Sequence, residues 1–150
     1  MSIKLENTEK QQVTTINIKA GEFSFKARLE EKLAPKTCAL FRSLLPYKER
    51  IIHVRWSGEG CWIPLGETDF GVSFENATSY PAPGQFILYP GGFSETEILL
   101  AYGGVNFASK MGQLAGNHFL TITEGQENLA ELGKKVLWHG AQNIEFSVAD

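Results

Sequence analysis

Cysteine is scarce: only Cys38 and Cys61 occur among 150 residues. They form no CxxC pair and keep no ligand spacing to a histidine, so neither a disulfide framework nor a structural zinc site organises the chain. Both are expected as buried free thiols, Cys38 in a helix and Cys61 in a strand, in a cytoplasmic protein. No segment approaches the roughly 20 apolar residues of a membrane span. Met1 to Glu6 lacks the basic head and apolar run of a signal peptide, so neither export nor a membrane partner is expected. Charge is thin and mixed: 21% of residues are charged, the net charge is −3, and no long run has one sign. Such a field does not favour a nucleic-acid partner. Cofactor motifs are also missing. Gly91-Gly92 and Gly103-Gly104 open no GxGxxG helix and precede no Lys-Ser/Thr, so they read as turns. Ser57 stands in Trp-Ser-Gly-Glu rather than Gly-x-Ser-x-Gly, which argues against a serine hydrolase. The acids and histidines follow no HExxH-like spacing, so no metal and no cofactor are expected.

Hydrophobic residues make up 43% of the chain, enough for one domain over residues 1–150, with 1–12 as an irregular N-terminal segment. Glycine clusters between residues 84 and 116, close to Pro81, Pro83 and Pro90. Short apolar runs punctuated by Gly and Pro predict many strands and tight turns.

Alternating apolar positions predict a hairpin from Val13–Lys19 and Phe23–Leu29, turning at Ala20-Gly21-Glu22. Pro35 and Pro46 bracket a short helix whose Cys38, Phe41 and Leu45 form an apolar stripe. Strands are predicted at Arg50–Trp56 and Cys61–Leu65 around a Ser57-Gly58-Glu59-Gly60 turn. Further strands are expected at Gln85–Tyr89, at Glu97–Tyr102 stopped by Gly103-Gly104, and at His118–Thr123. The stretch to Gly116 reads as loop. A second helix is expected over Gln126–Lys135 with Leu129 and Leu132 inward, then strands at Val136–Trp138 and Ile144–Val148. The fold class is mainly β: a closed barrel of about eight strands with two short capping helices.

The richest chemistry lies in His53-Val54-Arg55-Trp56-Ser57-Gly58-Glu59-Gly60-Cys61-Trp62. Alternation predicts His53, Arg55 and Ser57 on one strand face and Val54 and Trp56 on the other. A guanidinium there forks onto a carboxylate or carbonyl. His53 and His118 are candidate acid/base groups. His53, Arg55 and His118 are therefore the catalytic candidates. Arg55, Trp56, Glu59, Trp62, Glu75, Asn76, Tyr89, Glu95 and Tyr102 are the ligand-binding candidates, combining cation, acids and aromatic walls. Each has a structural alternative: a paired surface Arg, a satisfied histidine, a core aromatic, a solvated acid. His139, beside Trp138, reads as structural.

Ala34-Pro35-Lys36-Thr37 followed by Phe41 and Leu44 resembles the first helix of the cyclophilins. Phe23–Leu29 stands where those proteins carry the preceding strand. Leu114-Ala115-Gly116-Asn117-His118 resembles their Leu-x-Gly-x-His stretch, and Glu124-Gly125 with Leu129 resembles the opening of their second helix. The chain looks closer still to a bacterial domain-of-unknown-function family with a cyclophilin-like barrel. That likeness rests on Glu75–Gly84, on Tyr89–Glu97 and on the strand that ends in Trp56-Ser57-Gly58-Glu59. The resemblance implies a single cyclophilin-like domain and places Arg55 at the catalytic arginine, with His118 matching the site histidine. Trp56-Ser57-Gly58-Glu59 departs from the Phe-x-Met-Gln-x-Gly-Asp pattern, and the Phe and Gln that hold a prolyl substrate have no counterpart.

The expected role is binding of a small polar or anionic ligand on the barrel face. Alternatives are a small-molecule hydrolase or isomerase using the same pocket, a vestigial prolyl isomerase or peptide-binding module, and a subunit of a homo-oligomer.

Overall fold

The computed structural model describes residues 13–150; the expected irregular segment 1–12 lies outside the described residues. In chain order the elements are β1 (Thr15–Ala20), β2 (Phe23–Leu29), α1 (Pro35–Leu44), β3 (Tyr47–His53), β4 (Gly58–Pro64), β5 (Ala77–Thr78), β6 (Gln85–Tyr89), β7 (Glu97–Val105), β8 (Ala108–Ser109), β9 (Gly112–Gln113), β10 (Gly116–Glu124), α2 (Leu129–His139) and β11 (Gln142–Val148). A 3-10 turn, Gln126–Asn128, leads into α2.

Eight of these strands close into an antiparallel barrel in the order β2-β1-β11-β3-β4-β7-β6-β10, with β10 returning to pair with β2. Closure removes the free strand edges that would invite foreign pairing. Two-residue β5 adds to β10, and β8 pairs only with β9. Alternation works as expected in the first hairpin, where Ile16, Ile18 and Ala20 face Ala27, Phe25 and Phe23 across β1–β2. Inward residues from all eight barrel strands merge with Cys38 and Phe41 of α1 and with Leu132 and Val136 of α2 in one core. Phe41 sits at its centre, 5.0 Å from Phe119 and 5.1 Å from Phe146 by ring centroid. Tilted and edge-on pairs of this kind add to burial energy.

A second core lies outside the barrel. Ile87, Tyr89, Leu99, Ala101 and Val105 point outward from β6 and β7 and are covered by Phe107 and Leu114 of the segment carrying β8 and β9. That is why β6 and the start of β7 are buried on both faces and read as continuous apolar runs. The stretch expected to be loop thus holds a small hairpin and acts as a strap.

Four readings differ from expectation. The expected strand Arg50–Trp56 ends at His53, and its partner begins at Gly58 rather than Cys61. The glycine pair does not stop β7, which runs on to Val105. Gly60 pairs with Ala101 and Gly58 with Val105, so residues 102–104 bulge opposite the single residue Glu59. Val136–Trp138 is helix, not strand: Leu129, Leu132, Gly133 and Val136 recur at helical spacing and are buried together. Among the described residues no helix is long and apolar enough to cross a membrane.

Candidate functional site

His53 is the last residue of β3, paired with Cys61 of β4. Beyond it the chain leaves the strand, and the Val54 N–H still donates to the Gly60 carbonyl of β4 at 3.1 Å. The His53 ring is fixed at both nitrogens. Nδ1 lies 2.8 Å from the Val54 carbonyl and Nε2 lies 2.7 Å from the Tyr102 hydroxyl. A carbonyl can only accept, so Nδ1 carries the hydrogen, and Nε2 of the neutral ring accepts from Tyr102. The two rings meet edge to face at 5.6 Å.

Two glycines make room at this site, one for Tyr102 and one for Glu59. Gly133 of α2 lies directly under its ring, where a Cβ would overlap the aromatic carbons. Gly103 lies under the Glu59 carboxylate in the same way, and the Gly104 N–H donates to Glu59 Oε1 at 3.0 Å. Burial pushes the Tyr102 hydroxyl above its ordinary range, with Cys61 and Glu59 adding to the shift. Burial alone pushes the Cys61 thiol up to about 12, which leaves it inert as a nucleophile at neutral pH. The site at this end of the barrel is therefore a phenol–imidazole pair beside a carboxylate. Neither Gly133 nor Gly103 was among the sequence candidates. A glycine in the middle of the helical pattern Leu129–His139 is a signal of close approach that the sequence carried.

Arg55 and Trp56 occupy the β3–β4 connection and are both exposed, Trp56 at 58%. The expected shared face of His53, Arg55 and Ser57 does not form, because the strand has already ended. Ser57 is buried, and its hydroxyl donates to the Ala108 carbonyl and accepts from the Ala108 N–H. Among the described residues Arg55 has no hydrogen bond or ion pair. Glu59, expected in a turn, lies in β4 opposite the β7 bulge.

The remaining candidates lie elsewhere. His118 sits on β10, separated from β3 by β4, β7 and β6 in the sheet order. Its Nε2 lies 2.7 Å from the Thr121 hydroxyl, which donates to Glu30 at 2.5 Å, and Glu30 in turn pairs with Arg28 at 3.2 Å. Burial, chiefly, lowers the His118 pKa, which favours the neutral ring. His53 and His118 do not converge. Glu75 accepts from the Thr37 N–H at 2.6 Å and from the Thr37 hydroxyl at 2.7 Å, and so caps α1. Asn76 donates to the His118 carbonyl at 2.8 Å, tying its loop to β10. Trp62 packs against the outer core. Tyr89 is buried in that core, and its oxygen accepts from the Phe93 and Ser94 N–H groups. Glu95 is exposed beside Glu97. Two cysteines are free and buried, as expected.

Residues 16–148 match a family described as protein of unknown function, DUF3830. The chain belongs to the DUF3830 family. The DUF3830 chain is also similar in structure to McbB in complex with tryptophan, with a TM-score of 0.64 at 17% identity over 88% of this chain and 44% of McbB. It therefore spans less than half the length of McbB. It is similar to the hypothetical protein AF2241 from Archaeoglobus fulgidus, with a TM-score of 0.59 at 14% identity over 91% of this chain and 95% of the other. A cyclophilin-type peptidyl-prolyl cis-trans isomerase from Cryptosporidium parvum gives a TM-score of 0.59 at 15% identity over 92% and 98%. These likenesses show the fold: DUF3830 carries a cyclophilin-like barrel. No curated protein sequence matches it.

Proposed function

We propose that this DUF3830 protein binds a small polar or anionic molecule at the end of the barrel where β3, β4 and β7 meet α2. The observation that carries the reading is the half-buried His53–Tyr102 hydrogen bond of 2.7 Å, held in one tautomer by the Val54 carbonyl. Preorganised polar groups beside apolar walls are what small-ligand sites are made of. Arg55, two residues along the same hairpin, adds a cation that no described side chain neutralises, and Trp56 adds an exposed indole. McbB, seen in complex with tryptophan, is one protein of this fold that holds a small aromatic molecule.

An enzymatic reading of the same site has one observation in its favour. A phenol hydrogen-bonded to imidazole can pass a proton, so His53 and Tyr102 can serve as an acid/base pair. A prolyl-isomerase reading has only the fold likeness.

Thermal-shift and isothermal-titration screens with small carboxylates and amino acids test the proposal, because a ligand of the native state raises apparent stability. The expected result is a melting-temperature increase that Arg55→Ala or His53→Ala removes. Absence of any shift across the panel, or full retention in both variants, overturns it. Turnover of a binding compound that is lost in Tyr102→Phe would add catalysis. Isomerisation of a proline peptide above background would favour the isomerase reading instead.

A further inference from the structure

We infer that the ligand of this site carries an ammonium or equivalent N–H cation opposite Glu59 and Tyr102, and a carboxylate opposite Arg55: an aromatic α-amino acid or a close zwitterionic relative. This rests on the reading of the β3–β4–β7 end as the ligand site and narrows its polar or anionic ligand to one that carries both charges.

The reason is a count of hydrogens. The Val54 carbonyl fixes the hydrogen of neutral His53 on Nδ1, so Nε2 has only a lone pair to offer. The Tyr102 hydroxyl must then spend its single hydrogen on Nε2. What Tyr102 shows to a ligand is an acceptor oxygen. Glu59 is also acceptor-only. Oε1 already takes the Gly104 N–H, and Oε2 has no partner among the described residues. Glu59 has no ion pair among the described residues either, although other surface acids such as Glu22 and Glu131 do. The bulge of β7 lays the Glu59 carboxylate on Gly103, next in the chain to Tyr102, and the Tyr102 hydroxyl feels its charge.

Two acceptors without a donor repel an anion and are satisfied by N–H groups that carry positive charge. Arg55 supplies the opposite chemistry a few residues away, five donors in a planar fork suited to carboxylate. Trp56, 58% exposed beside Arg55, offers a flat π face to an aromatic group or to the cation itself. Acceptors, fork and indole together describe a zwitterion with an aromatic side chain.

The test compares three probes by isothermal titration on the full chain: L-tryptophan, tryptamine, which keeps only the cation, and indole-3-propionate, which keeps only the anion. L-tryptophan is expected to bind tightest, with indole-3-propionate weaker by about tenfold or more. Glu59→Gln is expected to weaken L-tryptophan and tryptamine by about tenfold while leaving indole-3-propionate unchanged. Arg55→Ala should weaken L-tryptophan and indole-3-propionate and spare tryptamine. Tyr102→Phe, which keeps the ring on Gly133, should weaken the two amines and serves as a second variant. If indole-3-propionate binds as tightly as L-tryptophan, or if neither Glu59→Gln nor Tyr102→Phe discriminates the amines, the inference falls and the ligand site stands. If no probe binds, the inference falls, and the wider panel of carboxylates and amino acids decides the ligand site.

Discussion

The Tyr102 ring rests on the bare Cα of Gly133: no side chain of any size fits between β7 and α2 at that point. This one contact joins the helix to the strand that carries the hydroxyl bonded to His53. Gly133→Ala therefore sets two effects against each other. Alanine raises helix propensity by about 0.5–1 kcal/mol, whereas overpacking a buried contact costs about 1–3 kcal/mol. The overlap is between the buried Gly133 and a rigid ring packed against the core, so overpacking wins. Urea denaturation is expected to show net destabilisation, and the NMR signature of the His53–Tyr102 bond should be altered. A neutral or stabilising outcome would show that the ring can move aside.

Glu75 and Thr37 are 38 positions apart, yet Glu75 closes the N-terminus of α1 with two hydrogen bonds. Ala34, at the cap position, provides no side-chain bond of its own. Glu75→Ala is expected to destabilise the protein by about 1–2 kcal/mol, the usual cost of a lost cap. A thermal melt checks this, and no change in ligand affinity should accompany it. Loss of binding at unchanged stability would instead restore Glu75 as a ligand group.

Glu97 is buried at the start of β7, and burial, with Glu95 adding, pushes its carboxyl from the ordinary 4.5 up to about 8. The folded chain therefore holds a proton that the unfolded chain has released. That contribution to stability is complete below about pH 4.5 and is lost as pH rises to about 8. Melting temperature measured between pH 5 and 8.5 should decline less in Glu97→Gln than in the native chain. Identical slopes in the two proteins would show that Glu97 has a normal carboxyl.

His118 acts at the acid side with the opposite sense. Burial, chiefly, lowers its pKa below the ordinary 6.5, although Glu30 opposes the shift. As pH falls through 6.5 the unfolded chain takes up a proton that the folded chain resists, so stability is lost on acidification. His118→Gln should remove that acid-side loss. The difference between variant and native melting curves at pH 7.5 and 5.5 isolates it from the Glu97 titration. No difference between the two curves would place His118 in an unshifted environment.

Much of the barrel was legible because its signals are local. Period-two alternation drew β1 and β2, and Pro35 and Pro46 bracketed α1. Boundaries failed where a partner decides them. Gly103-Gly104 reads as a stop, but a strand bulged against Glu59 can pass through glycines. Val136–Trp138 reads as a strand, but it continues α2, which packs on β3, β4 and β7. The candidate site was half legible. His53, Glu59 and Tyr102 were named as residues, but their meeting depends on the pairing of β4 with β7.

The sequence by itself determined a mainly β barrel with two helices, free buried thiols, and a hairpin dense in polar and aromatic groups. Those follow from periodicity, turn residues and composition, which act over a few residues of chain. Tertiary structure alone decided which chemistry meets. It brought Tyr102 to His53 across 49 positions, sent His118 to Thr121 and Glu30, turned Glu75 into a helix cap and left Arg55 without a partner among the described residues. The physical reason is that hydrogen-bond partners and burial are set by strand order and register, and no local pattern encodes those.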